Sequence, residues 1–343
     1  MKQQIEVVLD KLISNENRRL KIKERLQWYK YKIVSDQFYS LQIPINGFRP
    51  KNCYYITIST SQQDGVKNEV VQVENINKFI ADHEGKIKIK RYGPNKSNDF
   101  DILFATRSEQ LGGSGNKADV VLYGHEINET KEKPIMWLSL KAGSSEQDFQ
   151  QYFDISNTTL DNMSSLNGYT TITDFLKCCE ILFKNTRNKE SFEVMTNTPL
   201  TDSVSKYAIY GSEYKESFDK ESFGPQNVNY LIQGDVKFEF DKNANAYEIS
   251  GAHVLRHAEV PTDEAYAPKL LLRRDSYHSI AGIKQSRLFI VPNGYHKKKK
   301  EPDVLKLLNR KFRYNPQPET LEAFLKRHEE EMKKNNTDTA ISS

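Results

Sequence analysis

Two charged residues stand in stretches that otherwise read as buried β-strands. Asp119 lies within KADVVLYG (117–124) and Lys141 within MWLSLKAG (136–143). A lone charge in a core costs several kcal/mol, so such groups are usually paired or bound to a metal. An acid and a lysine offered to one point by neighbouring strands can hold a divalent cation beside a phosphodiester. Asp119 would supply a carboxylate, and the carbonyl of Leu140 a further oxygen, to Mg²⁺ or Mn²⁺. Lys141 would orient or deprotonate the attacking water and stabilise the charge on the pentacovalent phosphate. Without a ligand, the same two residues would form a buried ion pair.

The elements that must position them are legible from pattern. VKNEVVQVENINKFIADHEG (66–85) has helical spacing and closes on Gly85. Strands are expected at 53–60, 86–92, 99–106, 117–123 and 134–141, with Gly112, Gly113 and Gly115 in a loop between two of them. After Lys141 a helix is expected near 145–155, N-capped by Ser144 or Ser145, and another at 172–185. KYAIYG (206–211) reads as a strand. From 226 the chain turns β-rich, with a hairpin turn at DKNANA (241–246) and helical character at 303–328. Residues 2–34 carry helical periodicity, and the last ten or so residues read as disordered. The expected fold class is mixed α/β. Residues 1–50 form an N-terminal helical segment, 51–215 a core with a central mixed sheet flanked by helices, 216–300 a β-rich region and 301–343 a helix with a polar tail.

Composition narrows the classes of function. The 343 residues carry a formal net charge of +4, with a pI near 8.6 and a mean hydropathy of -0.71. Basic clusters at 17–25, 86–91 and 295–302 fit nucleic acid or a solvated face. The three cysteines, Cys53, Cys178 and Cys179, have neither disulfide nor zinc spacing, which suits a reducing, cytoplasmic setting. No apolar run is long enough for a membrane span, and the N-terminal residues lack the pattern of a signal peptide. LGGSGNKAD fails the spacing of a phosphate loop, and His253 and His257 fall where a strand and turn are expected rather than on a helix face.

The acid on one strand, followed by Ser139-Leu140-Lys141 on the next, resembles the PD-(D/E)XK nucleases, the superfamily of restriction endonucleases and recombination exonucleases. The resemblance covers about residues 66–211 and implies a restriction-endonuclease-like core. Ala118 precedes the acid, and Ser139 stands where an acid is usual. Some restriction enzymes of the family carry this Ser-x-Lys variant and recover the carboxylate from the following helix, which makes Glu146 the first candidate, ahead of Asp154 and Asp148. The family also draws an acid from the helix before the sheet, here Glu69 or Glu74, as a second metal ligand.

The resemblance implies a Mg²⁺- or Mn²⁺-dependent endodeoxyribonuclease acting on double-stranded DNA, in the manner of a type II restriction enzyme. A homodimer would cut both strands. Gln147 and Gln151, on the expected helix, and Lys88, Lys90, Lys297 and Lys298 would contact DNA, aided by the mixture of arginines and aromatics in 226–300. The alternative is a catalytically inactive nuclease fold that binds nucleic acid or serves a structural role, and Ser139 is its best argument.

Overall fold

A computed structural model describes residues 31–35, 38–44, 53–59, 64–83, 87–90, 99–108, 116–127, 129–184, 193–196, 198–215, 222–296, 303–314 and 319–341. The chain divides into two compact units, one of residues 1–144 with 210–259, the other of 145–209 with 260–343.

In the first unit, strands β1 (Tyr31–Ser35), β2 (Phe38–Pro44) and β3 (Cys53–Ser59) form an antiparallel sheet. Residues 31–44 therefore depart from the helical segment expected over 1–50. Helix α1 (Asp64–Asp82) follows, then β4 (Ile87–Lys90), β5 (Asp99–Arg107), β6 (Val120–Glu126) and β7 (Lys133–Lys141). The second unit opens with β8 (Phe153–Ile155), α2 (Asn157–Met163), α3 (Tyr169–Phe183), β9 (Glu193–Met195) and α4 (Asp202–Tyr210), whose last residue returns to the first unit. There the chain adds β10 (Tyr230–Gln233), β11 (Lys237–Asp241), β12 (Ala246–Ser250) and β13 (His253–Arg256). The second unit closes with β14 (Pro268–Ile280), β15 (Ile283–Pro292), α5 (Val304–Phe312) and α6 (Leu321–Ile341).

The main sheet of the first unit runs β11-β12-β4-β5-β6-β7-β10-β13, antiparallel except at β12–β4 and β7–β10, where the pairs are parallel. The fold is thus mixed α/β, as expected. Strands β10 to β13 extend this same sheet instead of forming a separate β-rich region with β14 and β15. In the second unit the sheet order is β8-β15-β14-β9.

Helix α1 covers the main sheet with a stripe at i, i+3 and i+7: Val73, Ile76 and Ile80 pack on Ile87, Ile89, Ile102, Leu122 and Leu138. The same helix also brings polar groups to the sheet, and each meets a partner. Beyond Ile102 the ladder between β4 and β5 has ended, so β5 presents backbone groups on that side without a strand to pair them. Asn77 takes the place of the strand. Its Nδ2 donates to Ala105 O at 2.9 Å, and Ala105 N donates to its Oδ1 at 2.8 Å. Gln72 does the same at the start of β11, accepting from Val236 N at 2.8 Å and donating to Asp235 at 2.7 Å. Asn77→Leu should destabilise the protein by about 2–4 kcal/mol, since it leaves an N–H and a C=O of buried Ala105 unsatisfied. Denaturant titration checks this, and a loss under about 1 kcal/mol would mean that water replaces the amide.

Two elements differ from expectation. Residues 145–155 form a turn, closed by Asp148 N donating to Ser145 O at 3.0 Å, and then strand β8, which pairs with β15. The aromatic spacing at Phe149, Tyr152 and Phe153 that suggests a helix serves strand packing instead: Tyr152 N donates to Ile290 O at 2.7 Å, and its hydroxyl to Tyr266 O. Residues 206–210 are helical, with Val204, Tyr207 and Ala208 buried at i, i+3 and i+4. At the C-terminus, the chain expected to be disordered is helical as far as Ile341.

Candidate active site

The segment 117–119 enters β6 under restraint on every side. Lys117 N and Ala118 N both donate to Pro225 O, at 2.8 and 2.9 Å. Ser108 N donates to Asp119 O at 3.0 Å, and the Ser108 hydroxyl to Ala118 O. Asp119 N donates to Leu138 O at 2.8 Å. Pro225 is itself held, because its loop is closed by reciprocal bonds between Gly224 and Asn227, and Asn227 Oδ1 lies 3.0 Å from His257 Nε2. His257 is buried among the rings of Tyr210, Tyr214 and Phe223, so it braces this loop and does not form a metal pair with His253.

The ladder between β6 and β7 ends at Val120–Leu138, which leaves the N–H of Leu140 facing Asp119. Asp119 Oδ2 accepts it at 2.6 Å, with the Ser139 hydroxyl at 3.4 Å. Leu140 was expected to contribute its carbonyl to a metal. What it contributes here is the N–H that aims the carboxylate. Among the described residues, no donor is within hydrogen-bond distance of Asp119 Oδ1.

Lys141 ends β7, its backbone fixed by Gly234 N donating to its carbonyl at 3.0 Å. Gly234 has φ +82°, where a side chain would be strained, and this lets the chain turn out of β10 right beside Lys141. The Lys141 ammonium acts electrostatically on Asp119 and on Glu69. Glu69 is carried in by α1 and held by Arg107 of β5, whose Nε and Nη2 both reach Oε2, at 2.7 and 2.6 Å. Two strand residues and a helix acid thus converge. Glu74 is five residues further on, about 140° around the helix, and does not share that direction.

Burial dominates the electrostatics. It raises the Asp119 carboxyl above the usual carboxylate range, while Lys141, the Leu140 N–H, Lys117 and Ser139 oppose the rise. Burial lowers Lys141, against the pull of Asp119 and Glu69. Burial also holds Lys117 well below the ordinary lysine value, and repulsion from Lys141 adds to the effect. A lysine depressed in this way is a better proton acceptor than one in water.

The chain matches no protein-family model, no curated protein and no solved structure. Among the described residues, no three His, Cys, Asp or Glu side chains are grouped to hold a metal ion. No described helix is long and apolar enough to cross a membrane.

The other expected site residues are scattered. Glu146, Gln147 and Gln151 belong to the second unit, in and after the turn at 145–148, so the helical face expected to align them is not formed. Within that unit Glu146 packs on Gly294, Asp148 accepts from the Ser145 hydroxyl at 2.9 Å, and Asp154 pairs with Arg287. Lys90 reaches Glu248 at 3.2 Å and Asp241 at 3.9 Å, so its charge is already matched within the sheet. Lys88 is half-buried on β4, opposite Asp101. Lys297 and Lys298 lie outside the described residues, as does Glu109. The arginines expected to face DNA have partners within the fold: Arg273 with Glu193, Arg287 with Asp154 and Asp275, and Arg274 over the Phe183 ring. Three residues of the site itself, Arg107, Ser108 and Lys117, were given no role by the sequence pattern. Lys117 had a signal, being a lysine two positions before the acid at the head of an apolar run.

Ser139→Ala should lower any activity of this site by less than about tenfold, since the hydroxyl adds only a long contact to a carboxylate already held by a backbone N–H. Parallel rate measurements decide it: a Ser139→Ala protein as impaired as one lacking Asp119 would make the serine a ligand in its own right.

Proposed function

We propose that the chain is a metal-dependent nuclease that hydrolyses phosphodiester bonds in double-stranded DNA. The observation that carries this is the convergence of Asp119, Lys141 and Glu69, from two neighbouring strands and the helix before them, in one buried cluster. The helix acid, strand acid and strand lysine are the groups that the PD-(D/E)XK resemblance asks for, with Glu69 in place of the acid missing at position 139.

The donor set suits Mg²⁺ or Mn²⁺, hard cations that take carboxylate oxygens and need only one or two from the protein. Asp119 and Glu69 would hold the ion, which when bound supplies positive charge at the phosphate and acidifies a water. Lys141, at the end of β7, orients that water and accepts its proton when neutral. The water oxygen bonds to phosphorus as the bond from phosphorus to the leaving oxygen breaks, and that oxygen takes a proton from solvent. The Leu140 N–H keeps Asp119 aimed throughout, and Arg107 keeps Glu69 in place. A cytoplasmic homodimer that cuts both strands of a symmetric site, in the manner of type II restriction enzymes, is the finer form of this proposal.

The test is incubation with plasmid or phage DNA in Mg²⁺ or Mn²⁺, read on a gel, with a parallel sample in EDTA. Discrete fragments that vanish with EDTA support the proposal. A second reading, a catalytically inactive nuclease fold that binds nucleic acid, is favoured by Ser139 and by the extra cation Lys117 beside Asp119. Retarded but intact DNA in every metal would select it.

A further inference from the structure

Lys117 has no part in the pattern of helix acid, strand acid and strand lysine. It is 7% exposed and enters the site on the same strand head as Asp119. Its N–H and that of Ala118 share the Pro225 carbonyl, so the backbone holds it there. Its ammonium acts on both Asp119 and Lys141. Burying a lysine is costly, and the acids do not require it as a counter-charge. Asp119 already has Lys141 and the Leu140 N–H, and Glu69 already has Arg107. The cluster therefore holds three basic side chains, Arg107, Lys117 and Lys141, against two acidic ones, Glu69 and Asp119. A buried cluster with surplus positive charge is complementary to an anion.

We propose that Lys117 is a substrate-binding residue whose ammonium holds a non-bridging oxygen of the scissile phosphate, so that the site works with a single divalent cation. The inference rests on the nuclease reading above. In two-metal phosphodiesterases a second ion neutralises the charge that builds up on the phosphate. Here a lysine, fixed in the strand, supplies that charge, and the site does not need the further carboxylates that a second ion would demand. The absence of an acid at position 139 then follows, because a carboxylate there would cancel the charge that the phosphate meets.

Wild-type, Lys117→Met and Lys117→Arg proteins decide the matter by three measurements. These are Mn²⁺ titration of the protein alone, binding of a duplex in Ca²⁺, and cleavage of that duplex in Mg²⁺. The expected results are one Mn²⁺ per wild-type chain and, for Lys117→Met, Mn²⁺ affinity equal to or tighter than wild type, because a cation has left the neighbourhood of Asp119. In Lys117→Met, duplex binding should weaken by about tenfold and cleavage by at least about a hundredfold, the loss typical of one charge-stabilising donor. Lys117→Arg should restore duplex binding. Two Mn²⁺ ions per wild-type site, or cleavage by Lys117→Met within about threefold of wild type, would overturn the proposal. So would loss of Mn²⁺ binding together with cleavage, which would mean that Lys117 merely organises Asp119. If thermal melting shows that Lys117→Met is unfolded, Lys117→Gln replaces it. A wild-type protein that cleaves nothing defeats the nuclease reading separately. The Lys117 assignment then stands or falls on whether the variant weakens duplex binding.

Discussion

Lys141→Met and Asp119→Asn should each lower DNA cleavage by about 10²–10⁴-fold, the range for losing a proton-transfer group or a charge that acts in the transition state. The choice of substitution matters. Asp119 Oδ2 accepts the Leu140 N–H at 2.6 Å, and alanine would leave that buried donor unsatisfied at a cost of about 1–3 kcal/mol. Asparagine keeps an oxygen in place and removes only the charge. Methionine likewise keeps the stem of Lys141 and removes the ammonium. Both variants should therefore melt as single folded species, and the loss should appear in kcat more than in KM. Single-turnover cleavage with circular dichroism melting provides the check. A Lys141→Met enzyme within about tenfold of wild type would show that the water is activated elsewhere.

Arg107→Met is expected to have the largest effect on stability, about 3–5 kcal/mol, because it strands a charge beneath the sheet. The Arg107 side chain is 6% exposed and that of Glu69 18%, and both guanidinium contacts fall on one carboxylate oxygen. Removing the cation leaves Glu69 with Lys141 as its remaining neighbour of opposite charge named in the cluster, and it frees α1 from β5 at that end. Pairing Glu69→Gln with Arg107→Met should recover most of the lost stability, since a buried pair replaced on both sides is often neutral. Cleavage should not return with it, because Glu69 is also assigned to the metal. Denaturant midpoints of the two single variants and the double variant decide this. Additive losses would mean that the two residues do not form a unit.

The placement of Asp119 and Lys141 was legible from sequence because a strand buries alternate residues, and a charge inside such a run declares itself. Helix α1 and strands β3 to β7 were legible for the same reason, since their apolar spacing is long and regular. The turn and strand at 145–155 and helix α4 were not. Aromatic residues at Phe149, Tyr152 and Phe153 satisfy a helical stripe as well as a strand edge, and the partner that decides, β15, lies far along the chain. KYAIYG is an apolar run too short for periodicity to tell helix from strand.

The candidate site divides along the same line. Local pattern, together with the family resemblance, pointed to Asp119, Ser139 and Lys141, and it listed Glu69 and Glu74 as equals. It could not choose between them, because the choice depends on the direction in which α1 lies across β5, and Arg107 and Asn77 set that direction. Nor could it assign Lys117, whose place beside Asp119 depends on the Pro225 carbonyl, delivered by a loop more than a hundred residues later. Sequence alone determined that a buried acid and a buried lysine sit on consecutive strands, because burial alternation is local. Tertiary structure alone decided which further charges surround them, because that depends on register and helix placement between segments distant along the chain.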